Sequence, residues 1–256
     1  MKKVITLLMC AIMLFSLVAC SNQTTTGETL EGNKDDSLTM RQKRILMMQG
    51  LSTDYDKLTE DQRKAIEEIE ELLCYAEDKY GYSCEYIGYT NEFSENGVLT
   101  CTTSEGSAAG YEFYVYRDQE TIKDTYIYAE CTPVYTAQVE EYLKQNFPDI
   151  TAKVYPVIFG TGNMTLPVTA EQLNKNINAE CCVLIDSKTC DKDRMQEIVE
   201  AMKAWQTENA YAGITQVSLM AEGIAEQLTR YNYAAYLDNE HELLKETYDI
   251  PFAENE

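Results

Sequence analysis

Apolar residues run almost unbroken from Val4 to Ser16, directly after Lys2 and Lys3. No later stretch of the chain repeats that density. The order is positive start, greasy run, then small residues before a cleavage point, which is the layout of an export signal. The run is shorter than the roughly 20 apolar residues that a membrane-crossing helix needs. Residues 21–38 hold Thr, Asn, Gly and acids with little to bury, and read as a tether of roughly 20–25 Å as a coil.

Helical spacing begins after the tether. A short helix is predicted over Thr39–Gln49, with Ile45, Leu46 and Met48 apolar and Gly50 as its stop. Thr59-Glu60-Asp61-Gln62 forms a capping box. Gln62, Ile66, Ile69, Leu72, Leu73, Ala76 and Tyr80 then share one side, Glu67, Glu68, Glu71 and Asp78 the other, and Gly81 ends the run. From Ser83 the period changes to two. Strands are predicted over Cys84–Tyr89, Val98–Thr103, Tyr111–Arg117 and Thr125–Ala129, divided by Asn96-Gly97 and Ser104–Gly110. Short connections of that kind favour an antiparallel meander. Thr132 is then expected to cap a helix with Pro133 at its first position, running to Asn146.

Strand and helix alternate afterwards. Strand Ala152–Phe159, helix Ala170–Asn176 behind Thr169, strand Cys181–Asp186, helix Lys192–Thr207 and strand Ile214–Met220 suggest crossover units on a sheet. The tail beyond Glu222 is read as helical. The fold class expected is therefore α+β: N-terminal helices, an antiparallel β-meander, then alternating helix/strand units. The division expected is residues 1–19 signal, 20–38 lipidated cysteine and tether, 39–160 helices plus antiparallel sheet, and 161–256 an α/β subdomain.

Leu17-Val18-Ala19-Cys20 resembles the lipobox of bacterial lipoproteins. The resemblance implies cleavage after Ala19, a diacylglyceryl group on Cys20, and a protein held on the outer face of the cell membrane. Arg41 through Gly81 resembles the openings of uncharacterised lipoproteins of Gram-positive gut bacteria, a likeness that brings no known activity. Two of the 21 basic residues lie in the leader, so the remainder carries 19 against 43 acids, a net −24. A polyanion is repelled by phosphate backbones and by anionic headgroups, which argues against nucleic acid and leaves attachment to the lipid on Cys20. The acidity keeps an exported protein soluble; a role with divalent cations is the sharper alternative.

Seven cysteines remain beyond Cys20: Cys74, Cys84, Cys101, Cys131, Cys181, Cys182 and Cys190. An odd number cannot pair completely, and no CxxC occurs, so thioredoxin-like redox chemistry and most zinc sites are disfavoured. They read as small buried thiols, or as a set holding one or two disulfides with Cys182–Cys190 the preferred pair. Cys181 and Cys182 should point to opposite faces of a strand.

Candidate chemistry is thin. His241 is the only histidine, and its HELLK setting fails the HExxH pattern at Lys245. GxSxG, Ser-x-x-Lys and Walker A patterns are missing. Gly160-Thr161-Gly162-Asn163-Met164-Thr165 lacks the third glycine of a dinucleotide loop, and Pro167 parts it from the next helix. Asp186, Asp191 and Asp193 could serve calcium, but an EF-hand's glycine and distal glutamate are lacking, and a helix dipole accounts for Asp191 and Asp193. Tyr114 and Tyr116 on one strand, with Tyr126 and Tyr128 on a neighbouring one, would form an amphipathic platform for a sugar or peptide, or simply bridge a half-buried sheet face and solvent. Trp205 reads as core. Neither cofactor nor metal is expected. The function expected is a membrane-anchored, non-catalytic binding or interaction module for an envelope protein, peptide or sugar. The alternatives are a transporter's solute-binding lipoprotein and a hydrolase built on two carboxylates.

Overall fold

The computed structural model describes residues 37–90, 97–237 and 240–251. The leader, Cys20, the tether before Ser37 and Asn96 lie outside them. Residues 38–256 belong to one unit.

Helices α1 (Met40–Met48) and α2 (Glu60–Tyr80) open it, each behind a Thr-x-x-Gln capping box, Thr39/Gln42 and Thr59/Gln62. Reciprocal bonds of this type satisfy N–H groups that a helix start would otherwise leave without partners. Gly81, at φ 75°, closes α2 by donating to Glu77 O at 2.8 Å, a left-handed cap that favours glycine. The buried stripe of α2 is Ile66, Ile69, Leu72, Leu73 and Ala76, as its spacing predicts.

That stripe packs on a four-stranded antiparallel meander, β1 (Cys84–Thr90), β2 (Val98–Thr103), β3 (Glu112–Asp118) and β4 (Thr121–Asp124), in the order β1-β2-β3-β4. Leu99, Cys101, Phe113 and Val115 face the helix, and Ile45 and Leu46 of α1 join the same core. Burying each of the larger side chains is worth about 1.5–3 kcal/mol. Ile87 marks a bulge in β1, between the pairs Tyr86↔Cys101 and Gly88↔Thr100.

The predicted fourth strand is displaced. Residues 125–129 are not a strand but the first turns of α3 (Tyr126–Asn146), and Thr121–Asp124 is the edge strand instead. Aromatic and β-branched composition suggests a strand at 126–129, but burial at Tyr126, Ala129, Cys131 and Tyr135 follows helical spacing. Asp124 starts the helix by accepting the Tyr126 N–H at 3.0 Å. Pro133 is therefore inside the helix, not at its first position. Its ring cannot bond the carbonyl of Ala129, a cost of about 3 kcal/mol that packing must offset.

Helix α3 spans two cores. Tyr126 and Ala129 belong to that of the meander. Tyr135, Val139 and Leu143 cover a second sheet of β5 (Ala152–Gly160), β6 (Asn178–Asp186), β7 (Ala212–Met220) and β8 (Glu242–Ile250). The strand order is β5-β6-β7-β8; only β6 and β7 run parallel. Helix α5 (Lys192–Glu208) is the crossover between them, while short α4 (Ala170–Leu173) lies in an antiparallel connection. Gly213, at φ 122°, meets β6 so closely that a Cβ would stand 1.9 Å from Ala179 O.

Two expectations change here. A division at residue 160 would part β5 from the sheet it belongs to. The tail is not a continuous helix: two short 3-10 turns, Ala225–Gln227 and Tyr233–Tyr236, precede strand β8. Those turns cover the far face of the sheet over Cys182, Leu184 and Met220. Cys181 and Cys182 do face opposite sides, Cys181 towards α3 and α5 and Cys182 towards the turns. Cys190 packs with Cys181 on the helix side. The sheet thus separates Cys182 from Cys190, and no disulfide joins them. Among the described residues, no helix is long and apolar enough to cross a membrane.

Candidate functional site

The solvent-facing flank of α3 carries an open groove of about 830 Å³. Helical spacing supplies two adjacent rows, Pro133, Ala137, Glu141 and Gln145 beside Val134, Gln138 and Tyr142. The opposite wall comes from Trp205 and Asn209 at the end of α5, with Glu171 and Asn174 from α4 and the turn after it.

Three aromatic rings form its floor. Tyr142 stacks on Trp205 with centroids 4.6 Å apart and planes 17° from parallel, while Tyr211 meets Trp205 edge-on at 5.3 Å. Each tyrosine is also tied by its hydroxyl: Tyr142 Oη donates to Ala201 O at 2.9 Å, and Tyr211 Oη donates to Gln138 Oε1. Burial raises both phenols, Tyr211 to about 12, so both remain donors at neutral pH. Stacked and anchored rings of this kind lose little conformational freedom when a ligand arrives.

The rim is polar and acidic. Gln145 Nε2 donates to Glu141 Oε1 at 2.7 Å, and Asn174 Nδ2 to Asn209 Oδ1 at 3.4 Å. Glu141 and Glu171 are the charged side chains among the lining residues; no lysine, arginine, histidine or cysteine lines the groove. Both carboxylates are exposed. Ser107, at the margin, is engaged: its Oγ donates to buried Glu130. The arrangement offers ring faces, amides and carboxylates, and repels anions.

A smaller cleft of about 360 Å³ lies on the other flank of α3, where Arg230 covers the Tyr111 ring at 4.6 Å and Tyr155 stacks on Tyr233 at 4.4 Å.

The four tyrosines expected to form a platform do not assemble. Tyr114 and Tyr116 share the outer face of β3, paired with Thr100 and Val98, and Tyr114 is 51% exposed. Tyr126 is on α3 and 1% exposed, stacked on Tyr80 at 3.9 Å inside the first core. Tyr128, also helical, packs half-buried against the second core. The reason is the helix start at Tyr126, which removes both residues from the sheet. Cys20 lies outside the described residues.

The acidic trio is likewise dispersed in role. Asp191 caps α5, accepting the Arg194 N–H at 2.8 Å; Asp193 is in the first helical turn; Asp186 is buried and accepts the Lys188 N–H at 2.9 Å. Among the described residues no group of three or more ligating side chains could hold a metal ion. His241 stands 5.3 Å from Tyr236, ring to ring.

Sequence reasoning missed the groove because hydropathy patterning counts Tyr and Trp as apolar whether they fill a core or line a surface. The usable signal was Gln138, Tyr142 and Gln145 at helical spacing beyond Pro133.

No protein-family model matches this chain, and no curated protein matches it either. Among solved structures, a DUF5037 family protein from Ruminococcus gnavus aligns over 62% of this chain and 77% of its own, at 14% identity. The TM-score is 0.32, a distant likeness that defines neither a fold family nor an activity for this chain.

Proposed function

We propose that the protein is a lipid-anchored, extracytoplasmic binding module whose groove along α3 takes an uncharged saccharide. The anchor reading rests on Lys2 and Lys3, the apolar run and Leu17-Val18-Ala19-Cys20; two acyl chains suffice to hold a protein on a bilayer, at about 0.8 kcal/mol per buried CH₂.

The observation that carries the ligand reading is the Tyr142–Trp205 stack, flanked by side-chain amides and two carboxylates, with no basic residue among the described residues that line the groove. Sugar rings present C–H faces to aromatic surfaces and hydroxyls to acceptors, which fits this lining. The net negative charge and the acidic rim disfavour phosphorylated or carboxylated ligands.

The same carboxylates bear on the hydrolase alternative. A glycosidase needs one carboxylic acid kept protonated by a desolvated setting. Glu141 and Glu171 are open to water, which favours binding over cleavage. The groove also runs along one helix rather than between two lobes, which favours a docking module over a transporter's solute trap.

The test is thermal-shift and calorimetric titration of the full chain with neutral oligosaccharides, in the wild type and in Trp205→Ala and Glu171→Ala. The reading expects at least one saccharide to raise the melting midpoint, with tenfold or greater loss of affinity in Trp205→Ala and a smaller loss in the exposed Glu171→Ala. Binding that ignores both substitutions, or no response to any neutral saccharide, overturns it.

A further inference from the structure

At the margin of the first core, exposed Cys74 and buried Cys84 lie beside one guanidinium. Arg41 on α1 bonds Glu70 at 2.9 Å and Glu77 at 2.7 Å, and its Nη2 reaches Cys74 Sγ at 3.1 Å. Glu77 Oε1 in turn accepts the Cys84 N–H at 3.0 Å. Cys84 opens β1 and Cys101 lies in the middle of β2. Their strands pair so that Cys84 opposes Thr103 and Cys101 opposes Tyr86. The two cysteines are therefore diagonal neighbours on the inward face of the sheet, within one core.

They differ in access. Cys84 lines a surface recess of about 70 Å³ together with Arg41, Arg44 and Tyr86. Cys101 lies behind it, fully buried. Cys84 is itself buried, at 6% exposure, but borders the recess, whereas Cys101 has no exposed surface.

We propose that Cys84 and Cys101 are a redox pair that closes reversibly to a cross-strand disulfide, Cys84 being the sulfur that attacks and Cys101 the one that resolves.

Electrostatics supports this division of labour. The Cys101 S–H, donated to Cys84 Sγ, holds the Cys84 thiol below its ordinary value of 9.0; burial and Glu77 oppose this, and Arg41 assists. Cys101 is pushed far above that value, first by its bond to the Cys84 sulfur and then by burial. A lowered thiol is the nucleophile in thiol–disulfide exchange. Once Cys84 has reacted it carries no negative charge, so the largest influence holding the Cys101 proton disappears.

The oxidant is a disulfide of the surroundings. Cys84 thiolate attacks one of its sulfurs, forming a mixed disulfide and releasing a thiolate. Cys101 passes its proton to that thiolate and attacks Cys84 Sγ, expelling the second thiol. Two protein thiols are oxidised to one S–S bond while one external disulfide is reduced to two thiols. Closure needs the two sulfurs to approach to about 2.05 Å. Strand β1 is an edge strand with a bulge at Ile87, so fewer ladder bonds hold it than hold a central strand.

Peptide mapping tests the pair. Trypsin leaves Cys84 and Cys101 together on residues 80–117, which hold no other cysteine. The folded full chain is treated with oxidised glutathione, denatured and alkylated. The expected peptide is unalkylated and two hydrogen atoms lighter than the dithiol; glutamyl endopeptidase leaves its halves joined, and dithiothreitol makes both sulfurs alkylatable. Cys101→Ser is expected to trap glutathione on Cys84. Alkylation of both cysteines in the oxidised wild type overturns the proposal. So does glutathione persisting on wild-type Cys84, or a bond from Cys84 to Cys74. The wild-type map decides the matter even if Cys101→Ser misfolds.

Discussion

Asp124→Ala should be among the most damaging polar substitutions in the chain. Its side chain is 4% exposed and collects four donors at the junction of β4 and α3. Lys79 Nζ and Tyr75 Oη donate to Oδ2 at 2.7 and 3.3 Å; Tyr80 Oη and the Tyr126 N–H donate to Oδ1 at 2.5 and 3.0 Å. Lys79 is 45% exposed and regains water when the carboxylate leaves, so its share is under about 1 kcal/mol. The charge-assisted bond from half-buried Tyr80 is worth about 1.5–2 kcal/mol, and the lost acceptor at the helix start about 1 kcal/mol. The variant should therefore lose about 3 kcal/mol at neutral pH, or roughly 6–12 °C in melting temperature. Burial alone would raise this carboxyl, but the bonds from Lys79, Tyr80 and the Tyr126 N–H hold it below its ordinary 3.8. Because the unfolded chain then binds the proton more readily, the stabilisation is complete above pH of about 4 and is lost as pH falls through the folded value. Asp124→Asn should remove that acid limb. Urea unfolding of wild type and both variants from pH 3 to 7 measures all of this. A loss under about 0.5 kcal/mol in Asp124→Ala at pH 7, or an unchanged acid limb in Asp124→Asn, refutes the reasoning.

Gln206 joins α5 to α3, β7 and β8 inside the second core, donating to Tyr135 Oη at 2.9 Å and Thr215 Oγ1 at 3.1 Å while accepting from Tyr248 Oη at 2.5 Å. Gln206→Leu leaves those buried hydroxyls without their partner and should cost about 2–4 kcal/mol in urea unfolding; a loss below 1 kcal/mol would show that the hydroxyls re-pair locally. Gly213→Ala places a methyl 1.9 Å from Ala179 O at φ 122°, and should yield little folded protein on expression, whereas Gly50→Ala, with open space around it, should cost only about 1 kcal/mol. Closing the Cys84–Cys101 bond spans a loop of 17 residues and should add up to about 3 kcal/mol over the reduced chain, read as the difference between melts with and without dithiothreitol.

The parts of the fold that were legible are those whose periodicity and punctuation agree. Thr59, Gln62 and Gly81 mark α2 at both ends, and the alternation of Leu99, Cys101 and Thr103 places β2 correctly. The start of α3 was misread because Tyr126, Ile127 and Tyr128 favour a strand locally, while the Tyr126 N–H donated to Asp124 and the shared core with Phe113 decide for a helix. Strand β8 was missed since it is a mostly solvated edge, with Leu243 56% exposed, so its alternation carries little hydrophobic signal. The groove depends on which flank of α3 meets α5, a long-range property that no spacing along the chain encodes. The Cys84–Cys101 contact is likewise a matter of strand register: a shift of one residue would turn one thiol outward.

The proposal of a saccharide-binding groove held on the outer face of a membrane depends on Cys20. Metabolic labelling of cells expressing the full chain with radioactive palmitate, followed by detergent-phase partitioning, tests it directly. Label in the wild type and partition into the detergent phase are expected, with both lost in Cys20→Ala. An unlabelled wild type, or a Cys20→Ala chain that partitions as the wild type does, would contradict the account.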